Sequence, residues 1–257
     1  MFKLVIFSRS DIAGENIGKI LVDKYKFNEV NEKLHRKDDL LLMQIDSEIM
    51  YLTEFNLKPE VCIVASKHSS ESKMPCLTLH STGNFSIAEL GGNSKELGIS
   101  PALYISTALK NLKKNSTHVE CEICLEATHH GPTQLDFPIM FIEVGSSLNE
   151  WKNLNLCEII ADTIYETLTE KPEKKDVAIG FGGGHYCRKF SQIENFALGH
   201  ICAKYNLCNV DGKIIHEMIK KTIPSPEYAL IEKKGMGKEK KRILELLEKT
   251  NLEIKFI

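Results

Sequence analysis

The stretch LEATHHGPT, residues 125–133, carries side chains that suit the activation of a water molecule. Glu126 is followed by two adjacent histidines, His129 and His130, and then by a Gly-Pro pair that ends a strand. A carboxylate with one or two imidazoles is a common ligand set for a borderline metal ion, and it also serves as a general base. In an extended strand His129 would point away from Glu126, Thr128 and His130, but a turn at Gly-Pro would bring it back. We therefore treat this segment as a candidate catalytic or metal site, against the alternative of surface histidines bonded to backbone.

A second candidate segment is the glycine run in GFGGGHYCRKF. Gly182, Gly183 and Gly184 come directly after a predicted buried strand, where their amides could bind an anion or an oxyanion. The spacing fits neither a P-loop nor the GxGxxG dinucleotide motif, so the glycines alone are equally typical of a tight turn. His185 and Tyr186 follow at once and place a base or metal ligand and a hydroxyl donor beside this loop.

Polar residues also follow two other predicted strands. Lys67, His68 and Ser69 end one of them, but the GxSxG frame of a nucleophilic serine is absent. We therefore expect this loop to bind substrate through hydrogen bonds. His80 lies at the end of the next strand and Asn84 follows that strand, and His80 suits either a metal ligand or a core histidine.

The elements that must position these residues alternate along the chain. Strand-like runs occur at 3–8, 40–45, 61–66, 76–81, 119–127, 139–144, 176–182 and 252–257. Helical patterns occur at 13–25, 100–114, 147–168, 190–205 and 225–249. This order predicts an α/β fold, a single domain with a central mixed, largely parallel sheet flanked by helices. Because ligands bind at the carboxyl ends of strands in such sheets, the polar loops should meet in one site.

Length and composition agree with one domain over residues 1–257, since the chain is 42% hydrophobic and 26% charged. No apolar run approaches the ~20 residues that span a bilayer, and the first residues do not resemble a signal peptide. We therefore expect a cytoplasmic protein without a membrane segment. The net charge of −2 does not indicate a nucleic-acid binder, yet residues 232–242 are strongly basic. This segment is either a solvated loop before the last helix or a patch that contacts phosphates.

The remaining metal-type residues are interpreted as structural. Eight scattered cysteines in a cytosolic chain favour reduced thiols. Cys121 and Cys124 are three apart in a predicted strand, so they point to opposite faces and cannot share one ion. The histidines outside the candidate segments are expected to be structural or exposed, with His200 on the amphipathic helix 190–205; they are His35, His118, His200 and His216.

Taken together, SKHSSES, LTLHSTGNF, LEATHHGPT and GFGGGHYCRKF resemble, in order and spacing, the D-aminoacyl-tRNA deacylases found mainly in archaea and plants. The resemblance covers nearly the whole chain. It implies hydrolysis of the ester between a D-amino acid and the terminal ribose of tRNA, a dependence on zinc, and a fold related to peptidyl-tRNA hydrolase and purine nucleoside phosphorylase. Lys67 stands where arginine is commoner in the family, which keeps the charge but loses a bidentate fork.

This resemblance implies roles for the candidate residues. Water activation falls to Glu126, His129 and His130, with His185 as a ligand or proton donor. The implied zinc ligands are His80, Glu126, His129, His130 and His185. The implied substrate-binding residues are Lys67, His68, Asn84, Thr128, Gly182, Gly183, Gly184 and Tyr186.

The implied partner is the acceptor end of tRNA, held by the basic segment through Lys233, Lys234, Lys238 and Lys240, and we expect the protein to act as a monomer. Two other functions fit the same residues. One is a nucleoside phosphorylase or another small-molecule hydrolase that holds phosphate in the glycine loop. The other is a tRNA-binding protein without catalytic activity.

Overall fold

The computed structural model describes residues 1–71 and 73–257. Within these residues the strands are β1 (Lys3–Ser8), β2 (Asn28–Asn31), β3 (Leu34–Lys37), β4 (Leu40–Ile45), β5 (Cys62–Ser69), β6 (Cys76–Ser81), β7 (Ser100–Pro101), β8 (Glu122–Leu125), β9 (Ile139–Ser146), β10 (Asp176–Phe181), β11 (Phe196–Cys202), β12 (Thr222–Ile223), β13 (Tyr228–Ile231) and β14 (Glu253–Phe256). The helices are α1 (Ile12–Tyr25), α2 (Ala102–Asn115), α3 (Leu148–Trp151), α4 (Leu154–Thr169), α5 (Gly212–Lys220) and α6 (Lys240–Leu247). Short 3₁₀ turns occupy Ile49–Tyr51, Phe190–Gln192, Lys204–Asn209, Lys233–Gly235 and Gly237–Glu239.

The strands form two main sheets. The larger sheet has the order β2-β3-β4-β1-β5-β9-β6-β8, and the second has the order β11-β10-β13-β14. In the larger sheet β4, β1, β5 and β9 are parallel, whereas β6 runs antiparallel to β9. The second sheet is parallel throughout. The predicted α/β fold with a mixed, largely parallel sheet flanked by helices is confirmed, and the second sheet is an addition to it.

One hydrophobic core joins the larger sheet to the helices on one of its faces. Ile17 of α1, Leu112 of α2 and Ile160 of α4 are fully buried against strand residues such as Ile142 of β9. Leu198 of the second sheet belongs to the same cluster, so the two sheets share this core. Each such side chain contributes about 1.5–3 kcal/mol when it leaves water. Helices α5 and α6 cover the other side of the second sheet with a separate cluster.

The start of helix α1 is bonded to the end of strand β5, which carries candidate site residues. The buried residues of this helix recur with helical spacing, and the Asp11 side chain caps its first turn by accepting a hydrogen bond from the Gly14 amide at 2.9 Å. The second Asp11 oxygen accepts from the Lys67 amide at 2.9 Å. Gly18 lets the ring of Phe7 approach, because a Cβ there would lie 2.5 Å from that ring. The start of α1 is thereby fixed to the end of β5.

Two predicted helices are wrong in whole or in part. No α-helix forms in 190–205, because residues 196–202 are strand β11, which is buried along its whole length. A strand buried on both faces has no alternation, so its apolar run resembles a helix. In 225–249 only α6 is an α-helix, because β13 pairs with β10 and β14 and Gly237 takes φ +54°. The hairpin β2–β3 and helix α5 lie where no element was predicted.

The expectation that the candidate residues lie together at the carboxyl ends of parallel strands is wrong for β6 and β8, which run in the opposite direction to β9. Only six residues, 70–75, separate β5 from β6. A parallel crossover needs a dozen or more residues, so β6 must return in the opposite direction. Strand β8 pairs parallel to β6, so it shares the reversed direction. The candidate residues therefore meet over one face of the sheet, as described below.

The longest described helix, α4, has 16 residues. A transmembrane helix needs ~20 apolar residues. None of the helices in 1–71 and 73–257 is long and apolar enough to cross a membrane. All eight cysteines carry free thiols, with Cys124 buried and Cys121 partly exposed, in agreement with their placement on opposite faces.

His200 lies in the middle of β11 and connects the sheets. It is fully buried, its Nε2 donates to the Gly98 carbonyl at 3.1 Å, and its Nδ1 lies 3.2 Å from the Thr128 hydroxyl. The same hydroxyl accepts from the Ile201 amide at 3.1 Å. His200 is therefore structural, as predicted, although it lies on a strand. Burial lowers the pKa of His200 to about 4.

We predict that His200 makes the folded state less stable as the pH falls from about 6.5 to about 4. The unfolded chain takes up a proton on this imidazole near pH 6.5, whereas the folded chain keeps it neutral down to about pH 4. Between pH 7 and pH 4.5 the free energy of unfolding should therefore drop by about 2.5 kcal/mol more in the wild type than in His200→Gln. Urea unfolding of both proteins at the two pH values measures this difference. The same pH dependence in both would contradict the assignment.

Candidate active site

The site lies on the face of the larger sheet that α1, α2 and α4 leave free. Strand β9 runs between β5 and β6, with Glu143 opposite Ser66 on one side and Thr78 on the other. His68 comes two residues after Ser66, and His80 two residues after Thr78. Because side chains alternate along a strand, all five face the same side. The register of three neighbouring strands thus brings two histidines to one carboxylate.

Glu143 is the central acid of this face, and the sequence analysis missed it. It is buried, accepts a hydrogen bond from the Ser66 hydroxyl at 2.6 Å, and lies 3.2 Å from His68 Nδ1. His80 Nε2 is 3.8 Å away. Burial alone would raise the pKa of Glu143, but the hydrogen bond from His68 and the charges of His68 and His80 hold that pKa well below its usual value. The sequence feature that could have identified Glu143 is its position as the single charged residue in the apolar strand IMFIEV.

The segment from Glu126 to His130 covers the same face. Its backbone is held from both sheets, since the Glu126 amide donates to Leu79 at 2.9 Å and the Thr128 amide donates to Ile201 at 2.9 Å. His130 has φ +44°, so the chain turns there and both histidines face inward. The His80 ring lies 4.1 Å from the His129 ring and 4.8 Å from the His130 ring, between centroids.

Glu126 is the second buried carboxylate. Its oxygens lie 3.2 Å from His68 Nδ1, 3.6 Å from His129 Nε2 and 3.1 Å from His185 Nε2. Despite these distances, neither oxygen forms a hydrogen bond of good geometry with any residue in the described part of the chain. A buried carboxylate without donors is costly, so this arrangement favours a positive charge placed between the side chains.

Three histidines present a defined nitrogen to this space. The Nδ1 atoms of His80, His129 and His130 lie 3.2, 2.8 and 2.6 Å from backbone carbonyl oxygens. A carbonyl only accepts, so in each neutral ring Nδ1 carries the hydrogen and Nε2 keeps its lone pair. Burial lowers the pKa of His130 to about 4 and that of His129 well below its usual value. These two imidazoles are therefore neutral at pH 7, the form that binds metal ions.

His80 differs in its protonation. Burial would lower its pKa, but the neighbouring Glu143 outweighs that effect and raises it. A metal ion bound there would displace a proton.

We call these seven residues the carboxylate–histidine cluster: His68, His80, Glu126, His129, His130, Glu143 and His185. Three overlapping sets in it have candidate ligand atoms within 4.8 Å of one another. The sets are His80–His129–His130, Glu126–His129–His185 and His68–Glu126–Glu143. Nitrogen and carboxylate oxygen donors are those that zinc uses. The unpaired oxygens of Glu126 and the unpaired Nε2 of His80, found among the described residues, fit such an ion.

Two tyrosines orient the outer histidines. The Tyr186 hydroxyl lies 3.0 Å from His68 Nε2, and the Tyr205 hydroxyl lies 3.2 Å from His185 Nδ1. The side chain of His185 is 34% exposed, which is more than the 23% of His129 and the 6% or less of His68, His80, Glu126 and Glu143. The sequence held no signal for Tyr205.

The glycine loop is not brought to the cluster. Gly182 donates its amide to the Cys202 carbonyl at 2.9 Å, so this amide is already used. Gly182 and Gly183 take φ +107° and +77°, and a Cβ on Gly183 would lie 2.4 Å from a Glu232 oxygen. The glycines, Gly184 included, line neither of the two cavities beside the cluster. Their conformation allows close packing against residues 232–235, and it determines the direction in which the backbone continues toward His185.

Three predicted substrate-binding residues lie around the cluster with other partners. The Lys67 ammonium stands 5.3 Å from the Trp151 ring centroid. Asn84 donates from its side-chain amide to two carbonyls of the loop that follows it. Thr128 is engaged by β11, as described above. Lys67 lines one cavity, and Asn84 and Thr128 line the other.

The basic segment 232–242 begins at the carboxyl end of β13, beside the glycine loop. Gly235 contacts Gly183 so closely that a Cβ on Gly235 would lie 2.2 Å from the Gly183 amide. Lys240 is partly buried over the Phe256 ring, and Arg242 donates to the carbonyls of Leu207 and Val210. The exposed lysines of this segment are Lys233, Lys234, Lys238 and Lys241.

Comparison with known proteins identifies relatives over almost the whole chain. The family described as D-aminoacyl-tRNA deacylase matches residues 55–255. The D-aminoacyl-tRNA deacylase of Pyrococcus furiosus is 34% identical over 268 residues, covering 98% of each chain. That of Cenarchaeum symbiosum is 32% identical over 257 residues, also covering 98% of each chain.

A solved structure agrees with these matches. The crystal structure of AF0625, a conserved protein of unknown function, superposes with a TM-score of 0.92 at 28% identity. The match covers 99% of this chain and 95% of that one. The chain described here belongs to the D-aminoacyl-tRNA deacylase family, as its motifs predicted.

Proposed function

We propose that this protein hydrolyses the ester of D-aminoacyl-tRNA at the carboxylate–histidine cluster, releasing a free D-amino acid and tRNA. Family membership supports the substrate class. The observation that carries the location is the buried, unpaired carboxylate of Glu126 beside the neutral imidazoles of His129 and His130. The phosphorylase and the non-catalytic alternatives are not favoured, since the relatives are named as deacylases.

We further propose that the cluster holds zinc, through His80, Glu126, His129, His130 and His185. Their N/O donor set and the hydrogen-bonded Nδ1 atoms support this choice. When bound, zinc would lower the pKa of a water molecule and polarise the ester carbonyl. Glu126 and His129 each belong to two of the three ligand sets, so metal analysis must determine whether one ion or two are held.

The chain's own residues would position the histidines and transfer a proton. Glu143 holds His68 and His80 through their ring nitrogens, and the unpaired oxygens of Glu126 lie 3.2 Å from His68 Nδ1 and 3.1 Å from His185 Nε2. His185, with its Nδ1 beside the Tyr205 hydroxyl, has one of two roles: it is the outermost zinc ligand, or, when the other four residues hold the ion, it gives a proton to the departing ribose oxygen. An aminoacyl ester is already activated, so this modest set of groups suffices.

The partner we propose is the acceptor end of tRNA, with the exposed lysines of 232–242 binding its phosphates. The cluster is complete within one chain, which supports action as a monomer.

The proposed activity predicts a chiral, metal-dependent ester hydrolysis. With matched D- and L-tyrosyl-tRNA, we expect fast release of amino acid from the D ester alone. Chelation should abolish this release and zinc should restore it, because a free carboxylate–histidine cluster lacks the Lewis acid. Release of radiolabelled tyrosine over time measures both. Release from neither ester would contradict the function, and release that survives complete removal of metal would contradict the zinc role alone.

Alanine variants test the cluster directly. His130→Ala and His185→Ala should each lower kcat/KM for the D ester by about 100-fold or more, since each removes a ligand or a proton-transfer group. His118→Ala, at an exposed position after α2, is the matched control and should keep wild-type activity. Circular dichroism confirms folding. Full activity in both cluster variants would refute this location.

A further inference from the structure

Two cavities open on either side of three cluster histidines. We call the first, of about 300 Å³, the acidic cavity, and the second, of about 340 Å³, the aromatic cavity. His129, His130 and His185 line both. An ester has an acyl part and an alcohol part that extend from one carbonyl group. Hydrolytic groups in a wall shared by two cavities therefore suit a substrate that occupies both.

We propose that the acidic cavity binds the amino acid and the aromatic cavity binds the terminal nucleoside, so that the ester lies at the shared histidines. The proposal rests on the proposed function and adds to it the direction in which the substrate lies. It names Glu48 as the group that binds the ammonium and Tyr205 as the platform for the base.

The acidic cavity offers one free carboxylate. Asp11, Glu48 and Glu143 line it, against the single lysine Lys67. Asp11 already accepts two backbone amides, and Glu143 is bonded within the cluster. Glu48 is exposed, and its side chain forms no hydrogen bond or ion pair with the rest of the described chain. A carboxylate in this position matches the ammonium that every aminoacyl ester carries.

The aromatic cavity offers an exposed ring beside the histidines. Tyr205 lines it with 53% of its surface exposed, and its hydroxyl lies 3.2 Å from His185 Nδ1. Bases of single-stranded RNA ends stack on such rings. Asn206, next in the chain, adds an amide that can bond a base edge. A nucleoside stacked on Tyr205 would have its ribose near His185.

Charge favours the same direction. Lys204 is exposed, directly precedes Tyr205, and lies against Gly237 of the basic segment, where a Cβ would be 2.9 Å from its Cε. The lysines of this segment thus continue from the aromatic cavity over the surface. A tRNA backbone entering from the acidic side would instead pass the carboxylate of Glu48, which repels phosphate. The reverse orientation is therefore disfavoured at both ends.

The first test compares ring variants on D-tyrosyl-tRNA. Tyr205→Ala should raise KM about tenfold, the size of one lost base stack. Tyr205→Phe keeps the ring and should raise KM by no more than about twofold, whereas kcat should fall because the hydroxyl beside His185 is lost. Tyr51→Ala removes a tyrosine of similar exposure, 51%, that lines neither cavity, and should match the wild type.

The second test uses a substrate without the ammonium, the tRNA ester of the matching D-2-hydroxy acid. Glu48→Gln should lower kcat/KM about tenfold on the D-tyrosyl ester, the size of one charged hydrogen bond. On the hydroxy ester it should change kcat/KM less than about twofold, because the lost partner is absent. Glu54→Gln, an exposed carboxylate outside both cavities, is the control.

The outcomes separate the orientation from the function. An active wild type with a Glu48→Gln effect confined to the ammonium ester, and a Tyr205→Ala effect on both esters, supports the proposal. An equal Glu48→Gln effect on both esters, or no effect of Tyr205→Ala, overturns the orientation and leaves the hydrolase intact. A wild type inactive on the D-tyrosyl ester overturns the function itself.

Discussion

The structure depends on two carboxylates that are held away from water under a group of imidazoles. Glu126 and Glu143 are both nearly inaccessible, and either would be costly to bury as an isolated anion. The histidines around them supply hydrogen bonds and positive charge, yet the oxygens of Glu126 stay unpaired in the described chain. A core that served stability alone would gain more from apolar side chains of similar volume. The arrangement therefore suits a bound cation and the proposed hydrolysis better than it suits stability alone.

The fold provides this arrangement by holding one short segment from two sheets. Strand register delivers His68, His80 and Glu143 on a face that the helices leave free. Residues 126–130 are then bonded to β6 on one side and to β11 on the other, where His200 and Thr128 form a buried link. The glycine loop belongs to the same support, since it places His185 by packing against the basic segment. The second sheet thus supports both the 126–130 segment and the position of His185.

The sequence reveals a site residue when its chemical partners are close to it in the chain, and it hides the residue when those partners are distant. Glu126, His129 and His130 could be recognised because chemical side chains crowd a strand end before Gly-Pro. Glu143 could not be singled out with the same ease, since its partners are 63 and 75 residues away in the chain and meet it only through register. Gly182–Gly184 suggested anion binding, but the positive φ angles of Gly182 and Gly183 serve packing. β11 resembled a helix because burial on both faces removes the alternation of a strand.

The most direct test of the central claim is zinc binding to metal-free protein, measured by calorimetry and by the shift in thermal unfolding. The wild type should bind zinc and unfold at a higher temperature when loaded. Glu126→Gln should lose at least about 100-fold in affinity, because it removes the anionic ligand shared by two of the three sets. Glu120→Gln, an exposed carboxylate six residues earlier, should bind as the wild type does. Zinc binding of equal strength in Glu126→Gln, or none in the wild type, would contradict the account.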